Sequence, residues 1–222
     1  MNSWSLHLSC SLLILLSCSV VAQAQSVSVV DGNILLTNRL GEIRTLTRSG
    51  RDSQPAISPD GKAIVFVRST GKTIQGNVGD EEATELWLIG SDGLRSERLV
   101  SGREDTNPKK NLAVLSSPQF SPDGTKIYFL STAWVTSDAV HVVDIESKVE
   151  SFVCDGNTID VIRAGKYRGF LVVQKHKYYS GERGGSYDHY WLVSPKGVDV
   201  RQIGEEEDYQ RFKTRTVSRH SE

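Results

Sequence analysis

Cysteine is scarce in this 222-residue chain, which argues against a fold that depends on disulfides. Two of the three cysteines, Cys10 and Cys18, lie in an apolar N-terminal stretch. Removal of that stretch leaves only Cys154, so the mature chain has no internal disulfide and depends on packing for its stability. A lone cysteine in an oxidising compartment is usually buried, and we expect this of Cys154, with a reactive or cross-linking thiol as the alternative.

The chain also lacks an excess of charge of one sign. Its 26 Lys and Arg residues nearly balance its 27 Asp and Glu residues, which leaves a formal net charge of −1. This balance argues against a nucleic-acid-binding surface. The one long run of like charge is the acidic segment at residues 205–208, which is more typical of a solvated turn than of a binding tail.

Motifs of known catalytic chemistry are missing as well. The sequence has no Gly-x-Ser-x-Gly elbow, phosphate-binding loop or zinc-ligand spacing. Ser186, Asp188 and His189 are too close along one strand to form a triad, because neighbouring side chains alternate between faces. A metal site built from His176, Asp188 and His189 would need a hairpin register that the sequence does not specify. We therefore expect no catalytic residues, no metal site and no cofactor.

The N-terminal apolar run is typical of a cleaved export signal. Residues 6–21 are mostly apolar, and Ala22-Gln23-Ala24 matches the small-x-small cleavage pattern. The run is too short to be a good membrane span. A lipoprotein interpretation would use Cys18, but Leu16-Ser17 before it matches poorly. We expect a signal peptide at residues 1–24, no membrane span after cleavage, and a periplasmic or secreted mature protein.

A repeated hairpin is the strongest positive signal. Ser58-Pro59-Asp60-Gly61 returns as Ser121-Pro122-Asp123-Gly124 at the same offset that separates Pro55 from Pro118. Each copy suits a type I turn, in which serine bonds the turn backbone, proline presets φ and glycine closes the turn. A β-branched and aromatic run follows each turn and predicts a buried strand. We interpret Asp60 and Asp123 as turn formers.

Two further strands are predicted after each hairpin, and four antiparallel strands form one propeller blade. They are expected at residues 85–89 and 97–100 in the first unit, and at 139–143 and 149–153 in the second. Ser-Pro-Asp-Gly between two strands, with Pro55 or Pro118 four residues before the proline of the motif, resembles the Pro-Asp, WD40-like propeller repeat of TolB-type periplasmic proteins. The resemblance covers residues 53–153. Two TolB-like relatives carry peptidase domains beside such repeats, but no hydrolase domain fits in this chain, so we expect a protein that is not an enzyme.

Weaker patterns extend the array on both sides. Residues 26–47 predict the last three strands of a blade without its first strand, and residues 157–203 predict a degenerate further unit. The polar tail at 207–222 either frays or supplies the missing strand through residues 211–214. The sequence therefore predicts an all-β fold, a small or partial β-propeller of about three to four four-stranded blades at residues 25–206. Closure within one chain, an open array and self-association that completes the propeller are alternatives.

The connectivity of the blades predicts where binding residues lie. The first and third turns of each blade emerge on one face, the tight-turn face. The opposite face, here called the long-loop face, carries the connections at residues 69–84, 101–115, 131–138 and 177–188. Long loops on a rigid scaffold concentrate binding residues. The sequence favours a module that binds a protein partner in the cell envelope or periplasm, and the alternative is an enzyme or small-ligand-binding protein that uses the axial pocket.

The segment at residues 175–191 is the richest part of the long-loop face. Tyrosine and arginine often anchor interfaces, and we expect the binding residues to be Tyr178, Tyr179, Arg183, Tyr187 and His189. The alternative is a long twisted hairpin whose aromatic side chains pair across its two strands.

Overall fold

The computed structural model describes residues 24–75, 79–180 and 184–218. Arg183 and residues 1–23, which hold most of the expected signal peptide, lie outside these ranges. Within them, fifteen strands form four antiparallel sheets, followed by one helix.

Strand order follows chain order in every sheet, so each sheet is a simple meander. Blade 1 consists of β1 (Ser26–Val30), β2 (Asn33–Thr37) and β3 (Ile43–Thr45). Blade 2 consists of β4 (Asp52–Ile57), β5 (Ala63–Gln75), β6 (Asp80–Gly90) and β7 (Ser96–Val100). Blade 3 consists of β8 (Leu115–Phe120), β9 (Lys126–Ser131), β10 (Ala139–Asp144) and β11 (Glu150–Asp155). Blade 4 consists of β12 (Thr158–Val161), β13 (Leu171–Tyr178), β14 (Ser186–Val193) and β15 (Asp199–Gly204), and helix α1 (Glu206–Ser218) follows.

The two Ser-Pro-Asp-Gly turns have the predicted chemistry. Ser58 Oγ accepts hydrogen bonds from the backbone N–H groups of Lys62 and Ala63 at 3.1 and 2.9 Å. Its own hydroxyl donates to Asp60 Oδ1 at 2.6 Å, and this bond, with one from the Lys62 N–H, lowers the pKa of Asp60. The Asp123 carboxylate accepts the matching bond from Ser121 at 2.6 Å. Both aspartates are therefore turn formers.

The blades pack face to face, with one apolar layer at each interface. Large side chains from both neighbours fill the layers: Ile34, Leu36, Ile64, Phe66 and Ile89 between blades 1 and 2; Val65, Leu86, Leu115, Phe120 and Phe129 between blades 2 and 3; Tyr128, Val140, Ile159, Val173 and Val193 between blades 3 and 4. β8, the first strand of blade 3, packs against β4 and β12, the first strands of blades 2 and 4. In the described ranges, broad packing joins only blades that are consecutive along the chain. The structure is an open, partial propeller of three four-stranded blades and one three-stranded blade.

The C-terminal tail forms a helix at Glu206–Ser218, so the alternative in which residues 211–214 supply a strand is wrong. Glu206, Glu207 and Asp208 lie in the first turn of α1 and Arg215 lies in the last, which complements the helix dipole. The helix packs against β14 and β15 of blade 4 and does not extend blade 1. Phe212 packs in the apolar cluster that blade 4 presents to the helix.

Candidate functional site

Two strand hairpins project from the long-loop face where the sequence predicted loops. The residues of β5 and β6 pair from Arg68–Glu85 to Gln75–Asp80, with an irregularity between Ser69 and Thr73. The residues of β13 and β14 pair as far as Tyr178–Ser186. Their neighbours stop earlier: β4 pairs with β5 only up to Arg68, and β12 pairs with β13 only up to Gln174. Both hairpins therefore extend beyond the body of their blades.

Three of the five expected binding residues form an aromatic row on one face of the β13–β14 hairpin. The ring centroids of Tyr179 and Tyr187 are 4.8 Å apart, and those of Tyr187 and His189 are 4.5 Å apart. His189 Nδ1 also contacts the side-chain amide of Gln202 on β15. Tyr179 and Tyr187 thus pair across the hairpin, as the alternative interpretation of this segment predicted, whereas Tyr187 and His189 are neighbours on β14.

Tyr178 lies on the opposite face of the same hairpin, because neighbours on a strand alternate. Its ring centroid is 5.0 Å from that of His176, whose Nδ1 is 2.9 Å from Asp188 Oδ1. His176 and Asp188 are cross-strand partners, whereas His189 pairs with Lys175. The three candidate ligands therefore do not converge, and no group of three or more His, Cys, Asp or Glu side chains in the described ranges is placed to hold a metal ion.

A cleft of about 620 Å³ opens at the base of the β5–β6 hairpin, and we call it the arginine cleft. Its floor is formed by the same face of blade 2 that packs against blade 1. Trp87 is partly buried at the edge of that packed region and also lines the cleft. The segment at residues 101–104 forms another wall. The lining contains five cationic side chains and two carboxylates: Arg51, Arg68, Lys72, Arg98, Arg103, Glu85 and Glu104.

Arg68 is held in place at the floor of the arginine cleft. Its guanidinium donates to both carboxylate oxygens of Asp52, with Nε 2.6 Å from Oδ1 and Nη2 2.9 Å from Oδ2. It also lies over the Trp87 ring at 4.6 Å from the ring centroid. Burial alone would raise the pKa of Asp52, but hydrogen bonds from Arg68, Thr47 and Ser49 and the charge of Arg68 together lower it.

Glu85 forms an ion pair with Arg98, a second arginine of the cleft. Its Oε1 accepts a hydrogen bond from Arg98 at 2.8 Å, and its Oε2 accepts one from Trp87 Nε1 at 3.0 Å. Arg68, Glu85, Trp87 and Arg98 share this face because they are cross-strand partners or lie two residues apart. The cleft is not evident from the sequence, because residues 69–84 have the composition of a loop, although the alternation of Glu85 and Trp87 is a usable signal.

Two other clefts open at the long-loop side and between blades. A cleft of about 280 Å³ beside the arginine cleft has Glu81, Glu104 and Asp105 in its lining. A cleft of about 640 Å³ is lined by residues of blades 3 and 4, among them Cys154 and Lys175. Both of these residues are buried, and burial raises the pKa of the Cys154 thiol to about 12. The expectation of a buried Cys154 is confirmed.

None of the helices in the described ranges combines the length and the apolar character needed to cross a membrane.

No protein-family profile matches the chain. Among curated proteins, the uncharacterised protein YdjN from Bacillus subtilis (strain 168) is 30% identical over 96 residues, which are 43% of this chain and 24% of YdjN.

Two similar solved structures share the arrangement of the blades. The putative TolB from Agrobacterium tumefaciens has a TM-score of 0.51 at 15% identity, with 78% of this chain and 57% of that chain covered. The β-propeller domain of the Trilobed protease from Pyrococcus furiosus has a TM-score of 0.51 at 16% identity, with 78% and 48% covered. The chain spans about half the length of these structures and about a quarter of YdjN.

The chain has the fold of a TolB-like β-propeller. The meander sheets, their face-to-face packing and these structural similarities agree on this class. The similar structures include both TolB and a domain of a protease, so the fold alone is compatible with more than one function.

Proposed function

We propose that this chain is the binding module of an exported protein and that it binds a protein partner through the long-loop face. The observation that carries the proposal is the projecting β13–β14 hairpin. Tyr178 and Tyr179 near its tip are 68% and 58% exposed, on a scaffold that is held by packed blades. Exposed tyrosines on a rigid support bury much area at a small cost in side-chain entropy, which makes them effective interface anchors.

The hairpin itself does not need these two side chains for its pairing. Backbone pairing of β13 with β14 runs from Leu171–Val193 outwards, and the buried part of the hairpin lies in the blade. The row formed by Tyr179, Tyr187 and His189 widens the contact surface on the side that faces blade 3. Tyr178 provides a second contact on the side that faces α1.

The test is a double substitution, Tyr178→Ala with Tyr179→Ala. We expect the thermal midpoint to stay within about 2 °C of that of the wild type, because exposed side chains contribute little to stability. Partner binding should weaken by about 2 kcal/mol or more, the range for interface anchors. A photo-crosslinking residue at position 179 identifies the partner in envelope extract, and calorimetry with the purified partner measures the loss.

Leu94→Ala is the matched control for this experiment. Leu94 is 80% exposed in the turn between β6 and β7, on the tight-turn face. Its removal should leave partner affinity unchanged. Equal affinities for the wild type and the tyrosine variant would refute the proposal, and so would a loss of affinity caused by Leu94→Ala alone.

Export is the second part of the proposal, and Ala22-Gln23-Ala24 supports it. The mature protein should begin at Gln25 when the full chain is expressed in a bacterium. The intact mass of the periplasmic fraction measures this. A retained leader, or a mature protein that begins at a lipidated Cys18, would contradict it.

A small-ligand-binding or enzymatic function is the second candidate, and the arginine cleft is the observation that favours it. Its volume lies in the range of small-molecule sites. A substrate-panel assay on the purified chain separates this candidate from a protein-binding module.

A further inference from the structure

The arginine cleft contains more positive charge than its own carboxylates balance. Of its cations, Arg68 is neutralised by Asp52, and Arg98 is paired with Glu85. Besides Glu85, the only carboxylate among the described residues of the lining is Glu104. One carboxylate cannot balance the three charges of Arg51, Lys72 and Arg103. The cleft is therefore locally basic in a chain whose net charge is −1.

These three cations make few or distant contacts in the described ranges. The guanidinium of Arg51 donates to the backbone carbonyl of Thr70 at 3.3 Å, which leaves its charge unbalanced. Arg103 Nη2 is 3.9 Å from Glu150 Oε2 and 3.5 Å from the carbonyl of Lys110. Lys72 is exposed, and no ion pair of its ammonium group is found among the described residues. All three side chains keep donors available for an incoming anion.

The neighbouring cleft limits where an anion can bind. Glu81, Glu104 and Asp105 line it, and they would repel a negatively charged group. Ile74, Glu104 and Ala113 line both clefts, so the two are adjacent. An acidic ligand is therefore confined to the side of Arg51 and Lys72.

The part of β5 that extends beyond its ladder with β4 lies on that same side. The ladder between β4 and β5 ends at Asp52–Arg68, while β5 continues to Gln75. Beyond Arg68, Ser69 N still donates to the Arg51 carbonyl, and the exposed residues Gly71, Lys72 and Thr73 follow. The backbone N–H groups of Gly71 and Lys72 already donate to Ser69 Oγ and Thr70 Oγ1. A peptide on this side is therefore held through its acidic side chains, which would lie near Arg51 and Lys72.

We infer that the arginine cleft binds the carboxylate groups of an extended acidic peptide segment. This inference rests on the proposed function and deepens it, because it states that the partner of the long-loop face presents a run of Asp or Glu residues. Arg51 forms charge-assisted hydrogen bonds to the carboxylates. Lys72 adds a point charge at the mouth of the cleft.

The probe is a fluorescein-labelled hexaglutamate peptide, and hexaglutamine is the neutral reference. Fluorescence anisotropy with the intact chain should show saturable binding of hexaglutamate and none of hexaglutamine over the same concentration range. Affinity should fall as salt is added, because salt screens the exposed part of the cleft. The double substitution Arg51→Gln with Lys72→Gln should weaken binding by about tenfold or more, since each charged hydrogen bond contributes about that factor.

Lys62→Gln with Lys196→Gln is the charge-matched control. Both lysines lie in turns on the tight-turn face, and the pair removes the same net charge as the test variant. Its affinity for hexaglutamate should equal that of the wild type. Equal weakening by both double variants would show non-specific attraction and overturn the inference.

Two further outcomes would overturn the inference. One is the absence of hexaglutamate binding, and the other is tight binding of citrate by a chain that does not bind the peptide. This experiment uses neither the partner nor Tyr178 and Tyr179, so its failure leaves the tyrosine result standing. Failure of the tyrosine test with intact hexaglutamate binding would instead refute the proposed function and remove the link to that partner.

Discussion

Asp52 shows how one residue can serve both the fold and the cleft. Its carboxylate is buried at the start of β4 and receives two bonds from Arg68, which in turn covers Trp87. The backbone N–H of Asp52 donates to the carbonyl of Gly32 in blade 1 at 2.8 Å. The side chain of Asp52 therefore joins β4 to β5 and positions Arg68 in the floor of the arginine cleft. Its backbone joins blade 2 to blade 1.

We predict that Asp52→Asn destabilises the protein in a pH-dependent way. Removing one partner of a buried pair leaves the other charge unpaired, at a cost of about 1–3 kcal/mol near neutral pH for this partly exposed arginine. The pKa of Asp52 is lower in the folded protein, so its contribution is present above the unfolded value of about 4 and is lost as pH falls through the folded value. Urea unfolding at neutral and acidic pH measures the gap between variant and wild type, which should narrow in acid. A gap that stays constant with pH would contradict this linkage.

At the scale of elements, the turns were predicted well and the lengths of the hairpins were not. Ser-Pro-Asp-Gly specifies its own geometry through bonds between neighbouring residues, so both copies fold as expected. The extension of β5 and β6 beyond Arg68 depends on pairing between distant residues. That stretch contains Gly71, Lys72 and several charged residues, and these residue types are uncommon in strands.

Two turn glycines should differ in their tolerance of alanine. Gly124 and Gly197 both have positive φ, at 75° and 81°, so alanine is strained at either position. At Gly124 an added Cβ would lie 3.6 Å from Pro59 Cδ, an ordinary contact. At Gly197 it would lie 1.9 Å from the backbone oxygen of Val153 in blade 3. We expect Gly124→Ala to cost about 1 kcal/mol and Gly197→Ala to cost clearly more.

Chemical denaturation of the two glycine variants side by side is the measurement. The difference between them isolates the clash with blade 3, since the φ strain is common to both. Equal destabilisation would mean that the turn of Gly197 moves away from blade 3 without cost.

At the scale of the whole molecule, helix α1 covers one end of the open array. It packs on the outer face of blade 4, where the apolar cluster contains Ile162, Val172, Leu192, Tyr209 and Phe212. Tyr209 stacks on Tyr190 with ring centroids 4.4 Å apart, and its hydroxyl donates to Asp160 at 2.5 Å. Arrays of repeated units need a polar outer surface at their ends, and α1 supplies one here.

We predict that truncation after Glu205 destabilises the protein and promotes self-association. Loss of the helix exposes the apolar face of blade 4, and exposed patches of that kind drive aggregation. Differential scanning fluorimetry should show a lower thermal midpoint, and light scattering should show a higher mass. Truncation after Ser218 keeps α1 and is the matched control. A monomeric variant with wild-type stability would show that α1 is not a cap.

The sequence alone determined the strands and tight turns of the blades, because the residues that specify each of them are close together in the chain. The β-branched and aromatic runs and the paired Ser-Pro-Asp-Gly turns each specify strands and connections within a few residues. Only the tertiary structure decided the helix at residues 206–218 and the arginine cleft. The helix depends on the apolar face of blade 4, which is formed by residues far away in the chain. The cleft depends on cross-strand contacts among Asp52, Arg68, Glu85 and Trp87, which the ladders of three different strands bring together.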